Sequence, residues 1–105
     1  MFYFLIEAKP SPDNPEVSEL GGAFVSCWIE RATLEEAKSV ALKMISEAHW
    51  EVVAIKERFP IDRSFYDVER SGLKYFEQAL LDKEVLVFHT YPAIQKNGDK
   101  ESLDN

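Results

Sequence analysis

Several short β-prone stretches of this 105-residue chain carry large apolar side chains on both sides, and this feature restricts the fold most strongly. Successive side chains of a strand point to opposite faces. In residues 85 to 92, VLVFHTYP, one face therefore carries Val85, Val87, His89 and Tyr91, and the other face carries Leu86, Phe88 and Thr90. Residues 2–8 and 23–31 alternate in the same way. Each strand needs cover on both faces, but the helices of a two-layer fold can cover only one.

The segment TLEEAKSVALKMISEA, residues 33–48, predicts an amphipathic helix. Thr33 and Glu36 have the spacing of a capping box, in which each side chain satisfies a free backbone N–H group of the first turn. Apolar residues recur at helical spacing along one face, namely Leu34, Ala37, Val40, Ala41, Met44, Ile45 and Ala48. A second helix is predicted from an N-cap at Ser71 to about Lys83.

The β-prone runs predict four strands, at residues 2–8, 23–31, 50–59 and 84–91. Three prolines and a glycine pair make residues 9–22 a loop, and residues 61–70 are interpreted as irregular. The order β-β-α-β-α-β predicts an α+β fold, a two-layer sandwich with two helices on one face of an about four-stranded mixed sheet. We expect residues 1–91 to form a single domain and residues 92–105 a polar C-terminal tail.

The chain is acidic, with 19 aspartate and glutamate residues against 12 lysine and arginine residues and a net charge of −7. This charge repels nucleic-acid phosphates and anionic membranes, so we expect no nucleic acid and no membrane as a partner. A small ligand or a basic protein fits better. The single cysteine allows no internal disulfide, and the apolar N-terminus reaches Glu7 too early for a signal sequence. These features predict a cytoplasmic protein.

Cys27 is the only thiol of the chain and the first candidate for nucleophilic chemistry. It lies in the middle of a predicted strand, between Ser26 and Trp28, and faces the same way as Val25 and Ile29. A reactive cysteine needs a basic neighbour, a histidine or a helix N-terminus that lowers the pKa of the thiol. We therefore interpret Cys27 as a small buried apolar residue.

The two histidines occupy different kinds of position. His49 follows the predicted end of the first helix, where a left-handed backbone and a positive charge are both favourable. His89 shares a strand face with Tyr91 near the end of the last strand, where an imidazole can serve as an acid, a base or a ligand-binding group. A histidine packed at the rim of an apolar face is the competing interpretation for His89.

The chain contains no motif that indicates a metal or cofactor site. Neither histidine belongs to a zinc-binding spacing, and the acidic loop lacks the spacing of a calcium site. Gly21 and Gly22 lead into a strand, so they cannot direct helix amides at a phosphate. Ser71 and Lys74 match an S-x-x-K tetrapeptide without its companion motifs, so capping explains Ser71 better. We expect neither a cofactor nor a metal.

Three hypotheses about function stay open. The first is a non-enzymatic interaction protein that forms a homodimer through the sheet face without helices, with the interface residues Phe24, Trp28, Val87 and His89. The second is a small-molecule-binding protein or an enzyme with a site on the same face, formed by His89, Tyr91, Trp28 and Glu30. The third is an acidic inhibitor of the immunity or antitoxin type. The lack of catalytic spacing favours the first, so no catalytic residue is assigned.

Overall fold

The computed structural model describes residues 1–66 and 72–93. The elements in these ranges are β1 (Phe2–Pro10), β2 (Leu20–Ile29), α1 (Leu34–Glu47), β3 (Trp50–Pro60), the short 3₁₀ helix η1 (Arg63–Tyr66), α2 (Leu73–Asp82) and β4 (Glu84–Pro92). The predicted order of strands and helices is confirmed. Ser71, the predicted cap of α2, and residues 94–105 of the predicted tail lie outside the described residues. None of the described helices is long and apolar enough to cross a membrane.

The four strands form one sheet in the order β3-β1-β2-β4, so that β1 and β2 are central and β3 and β4 are the edges. All neighbouring strands are antiparallel. The prediction of a mixed sheet is therefore wrong. Strands β2 and β3 do run in the same direction, but β1 lies between them and pairs with both, so they form no parallel ladder.

The first sheet face carries the larger core, and α1 covers it. The buried members are Phe4, Ile6, Ala8, Ala23, Val25, Cys27 and Ile29 from β1 and β2, with Ala37, Ala41 and Ile45 from α1. Trp50 closes one end of this core against Phe88, with the ring centroids 5.7 Å apart. The predicted inner face of the first helix is confirmed at its three buried residues.

The second sheet face is covered over part of its area by η1 and α2. Trp28 is only 5% exposed on this face, although Cys27 beside it in the chain belongs to the core under α1. A second buried cluster consists of Trp28, Ile61, Tyr66, Phe76 and Ala79. The prediction that both helices lie on one face is therefore wrong. Helix α2 packs on this second face against β2, β4 and η1.

Both ends of α1 follow the local chemistry of the sequence. The hydroxyl of Thr33 accepts a hydrogen bond of 3.1 Å from the backbone N–H of Glu36, which confirms the predicted N-cap. After the helix, His49 has a left-handed backbone with φ of 70°. Its Nδ1 lies 3.1 Å from a carboxylate oxygen of Asp13. Hydrogen bonds with the Ser11 hydroxyl and with His49 lower the pKa of Asp13.

The loop between β1 and β2 is shorter than predicted, because strand pairing continues to Pro10 and resumes at Leu20. A proline is compatible with the end of a strand, where few ladder hydrogen bonds are lost. Asn14 is 7% exposed and holds the loop against the end of α1. Its Nδ2 donates to the carbonyl of His49 at 3.0 Å, and its Oδ1 accepts from the N–H of Glu16 at 2.8 Å.

The substitution Asn14→Ala should lower the free energy of unfolding by about 1 kcal/mol or more, because the Glu16 N–H loses its acceptor and the His49 carbonyl keeps only the N–H of Ser11 as a donor. Urea denaturation followed by circular dichroism measures this change. Ser18→Ala, at an exposed position of the same loop, is the matched control and should leave the midpoint unchanged. An unchanged midpoint for Asn14→Ala would contradict the anchoring role of this side chain.

Candidate functional site

A concave surface lies on the second sheet face, where η1 and α2 meet the strands. Residues from all four strands, from η1 and from the start of α2 line it. Its cavity volume is about 300 Å³. This size lies at the lower end of the roughly 300–1,000 Å³ that small-molecule sites occupy. We refer to this surface as the aromatic cleft.

Five rings of the aromatic cleft contact one another in a closed circuit. The Tyr3 ring lies 5.2 Å from Trp28 in an edge-on geometry and 5.3 Å from Phe59. Phe59 is 5.9 Å from Phe65, which in turn lies 5.1 Å from Tyr66. The circuit closes where Nε1 of Trp28 donates a hydrogen bond of 2.8 Å to the hydroxyl of Tyr66. Edge-on and tilted contacts between rings are favourable, so the circuit stabilises its own geometry.

The strand register explains why these rings meet. Phe59, Tyr3 and Trp28 are direct neighbours in one row across β3, β1 and β2. Side chains in such a row stand about 4.5–5.5 Å apart at Cβ, which is contact distance for aromatic rings. Gly72 precedes α2 above this row, and a Cβ atom there would lie 3.0 Å from the Tyr66 ring and 3.4 Å from Trp28. Glycine therefore allows α2 to begin close to the rings.

Hydroxyl, carboxylate and imidazole groups add polarity to the aromatic cleft. The Tyr3 hydroxyl donates a hydrogen bond of 3.1 Å to Oγ of Ser26. Burial raises the pKa of Tyr3, and the nearby carboxylate of Glu57 raises it further, against the opposing effect of the Ser26 hydrogen bond. Tyr3 is therefore neutral at physiological pH. Glu57 and His89, on the two edge strands, are both exposed and line the same cleft.

Beside the aromatic cleft, none of the described helices covers the rest of the second sheet face. Its apolar side chains are Leu5, Phe24, Val87 and Tyr91, which we call the open apolar patch. Phe24 is 37% exposed and Tyr91 is 40% exposed, and their ring centroids lie 6.1 Å apart. Tyr91 crosses Gly22 so closely that a Cβ atom there would lie 2.4 Å from the tyrosine hydroxyl. Because Gly22 has no side chain, the Tyr91 ring can lie directly over it.

The structure separates the four residues predicted for a ligand site. Trp28 and His89 both line the aromatic cleft. Tyr91 belongs to the open apolar patch instead. Glu30 lies near the other end of the sheet, where its carboxylate forms an ion pair of 3.3 Å with the N-terminal ammonium group of Met1. Glu30 therefore cannot act together with His89.

The four residues predicted for a dimer interface also divide. Phe24 and His89 are exposed on the second face, and Val87 is half-buried against the cluster under α2. Trp28 is covered by Tyr66, and its ring lies 5.1 Å from the ring of Tyr75. The premise that this face has no internal cover is wrong for the part under η1 and α2. Trp28 is consequently not available to a second copy of the chain.

The interpretation of Cys27 as a buried apolar residue is confirmed. Its side chain is fully buried, and Sγ lies 3.8 Å from the carbonyl oxygen of Val25. Burial raises the pKa of the thiol to about 12, so the reactive thiolate is scarce at neutral pH. Within residues 1–66 and 72–93, no three histidine, cysteine, aspartate or glutamate side chains converge to hold a metal ion.

Most residues of the aromatic cleft were not assigned from the sequence. Alternation places Tyr3 and Trp28 on one face of their own strands, but only the strand order brings them beside Phe59. A signal was present between residues 56 and 74, where Phe59, Phe65 and Tyr66 occur among basic residues. That composition indicates an aromatic surface but does not identify the sheet face that it completes.

No protein-family model, curated protein or solved structure matches this chain.

Cys27 should react roughly a thousandfold more slowly in the native protein than in urea, because a pKa of about 12 in place of about 8.5 reduces the thiolate by that factor. The release of chromophore from an aromatic disulfide reagent measures both rates. Cys27→Ser provides the background. Fast labelling of the native protein would contradict the buried assignment.

Proposed function

We propose that this protein binds a small organic molecule in the aromatic cleft, as a binding protein and not as an enzyme. The observation that carries the proposal is the closed circuit of five rings beside a cavity of about 300 Å³. Aromatic walls with a few polar groups are the usual composition of small-molecule sites. The proposal keeps Trp28 and His89 from the sequence-based site and sets Tyr91 and Glu30 aside.

The aromatic cleft offers apolar surface that a ligand can remove from water. Phe65 is 47% exposed, and Phe59 and Tyr75 are half-buried. Burial of apolar surface contributes about 25 cal/mol per Å². The rings are held in place by their contacts with one another, so binding requires little further ordering of the site, which favours affinity.

The polar groups of the cleft suit recognition better than catalysis. In nucleophile–base pairs, a third group usually fixes the tautomer and the orientation of the catalytic histidine. No hydrogen bond to a side chain or backbone group within the described ranges orients His89. The Ser26 hydroxyl accepts from Tyr3 and has no basic partner among the described residues. We therefore assign these groups to hydrogen bonding with the ligand.

The two tryptophans allow a direct test, because Trp28 lines the aromatic cleft and Trp50 belongs to the core under α1. The variant Trp50→Phe retains Trp28 as its fluorophore and is screened against a metabolite library. A ligand of the cleft should change the Trp28 fluorescence, and the change should saturate as the ligand concentration rises. In the control variant Trp28→Phe, the remaining Trp50 should not respond. Equal responses from both variants, or no response to any compound, would contradict the proposal.

The histidines provide a second matched pair for any compound that raises the melting temperature. His89→Ala should reduce the increase, because it removes a polar group from the cleft. His49→Ala removes the histidine at the end of α1, bonded to Asp13, and should leave the increase unchanged. An identical increase in both variants would remove His89 from the site.

Self-association is a second candidate function, and the open apolar patch beside strand β4 favours it. An edge strand presents unpaired backbone groups to a second chain. Edge strand β3 is interrupted by two register irregularities and carries charged residues on its length. Edge strand β4 has no lysine, arginine, aspartate or glutamate from Val85 to Tyr91. Two-fold pairing of β4 with β4 of a second copy would place two open apolar patches side by side.

Light scattering after size-exclusion chromatography should give twice the chain mass of 12.1 kDa for this homodimer. Thr90→Asp should weaken or abolish it, because a charged residue on edge strand β4 disfavours pairing with a second chain and the two-fold axis repeats the charge on the other copy. The control Val53→Asp changes an apolar side chain on β3 that is 52% exposed and should leave the dimer intact. A monomer mass for the parent protein at tens of micromolar would contradict self-association.

A further inference from the structure

Building on the proposed small-molecule function, we infer that the ligand of the aromatic cleft is an organic cation, with an ammonium group attached to a small apolar body. The ring circuit favours such a ligand. The face of an aromatic ring carries negative electrostatic potential, and several rings around one space bind an ammonium group through cation–π contacts. Five rings line this one cavity, those of Tyr3, Trp28, Phe59, Phe65 and Tyr66. Tyr3, Phe59 and Phe65 are the accessible ones, because Trp28 and Tyr66 are only 5% and 8% exposed.

The charge of the aromatic cleft has the matching sign. Glu57 provides a carboxylate, and the described lining residues include no lysine and no arginine. No basic side chain within residues 1–66 and 72–93 forms an ion pair with Glu57. The field of this carboxylate reaches the ring circuit. Burial is the main cause of the raised pKa of Tyr3, and the Glu57 carboxylate raises it further. The net charge of −7 on the chain adds a general attraction for cations.

Most basic residues around the cleft are paired or lie on the other sheet face. Arg58 pairs with Phe4 in the strand register and belongs to the face under α1. Arg63 forms an ion pair with Glu77. Lys56 lies beside Glu57 in the chain, but its ammonium group is 3.7 Å from the carboxylate of Glu7. Lys74 places its ammonium group 5.1 Å from the centroid of Tyr75, whose ring lines the cleft. The protein thus already holds one ammonium group against a ring of this site. A ligand ammonium extends the same interaction to the rings that stay accessible.

A series of compounds with one phenyl ring and different charge tests the inference. We expect phenethylamine to change Trp28 fluorescence in the Trp50→Phe variant with a dissociation constant about tenfold below that of neutral 2-phenylethanol. Phenylacetate should bind more weakly than both, because Glu57 repels it. Isothermal titration calorimetry of the parent protein measures the three dissociation constants independently, and they should rank in the same way.

Charge variants connect the preference to the site. Glu57→Gln should reduce the affinity for phenethylamine severalfold and leave that for 2-phenylethanol unchanged. The control Glu51→Gln removes a carboxylate on the same strand that is paired with Lys9 outside the cleft, and it should change neither affinity. Lys74→Met should strengthen phenethylamine binding, because it removes a like charge. All three sites are exposed, and thermal unfolding of each variant verifies that the fold is retained.

The outcomes distinguish the preference for a cation from the binding of small molecules in general. Equal or tighter binding of 2-phenylethanol, detected by Trp28, would overturn the cation inference and leave the small-molecule function standing. The same conclusion follows if Glu57→Gln and Glu51→Gln weaken phenethylamine equally. Absence of any Trp28 response, to this series and to the metabolite library, would overturn both.

Discussion

The structure depends on one constraint, which is that the central strands β1 and β2 bury apolar side chains on both of their faces. Cys27 and Trp28 are adjacent in the chain, yet they lie in separate clusters on opposite sides of the sheet. One helix cannot cover both clusters. The chain meets the constraint by placing α1 over one face and η1 with α2 over the other. Burial on both sides also requires β1 and β2 to be central strands.

The two layers differ in extent, and the aromatic cleft results from this difference. Helix α1 has 14 residues and α2 has 10, and among residues 1–66 and 72–93 the buried cluster under α2 is the smaller one. The described helices therefore cover the second face at one end only. Aromatic rings at the boundary, such as Tyr3 and Phe59, have one side in the cluster and another accessible to a ligand. A site of this kind needs no motif, because its residues come from four strands, η1 and α2.

Local features of the sequence predicted local structure. The cap at Thr33 and the burial of Cys27 depend on neighbours within a few residues, and both are present in the structure. The side of the sheet on which α2 packs depends on strand order, which joins residues far apart in the chain. The sequence-based prediction placed both helices on one face, and it therefore placed Trp28 wrongly at a dimer interface. Alternation along β4 is enough to place His89 on the binding face. Placing Glu57 in the same cleft requires the register across several strands, which the sequence does not reveal.

Because β2 buries side chains in both layers, the length of this strand can change very little. Inserting or deleting one residue between Ala23 and Ile29 would turn every later side chain to the opposite face. The indole of Trp28 would then enter the closely packed space beneath α1, and Cys27 or Ile29 would take its place in the ring circuit. The loop from Ser11 to Glu19 carries no such double requirement, since most of its side chains are exposed. Changes of chain length during evolution should therefore accumulate in that loop and be absent from β2.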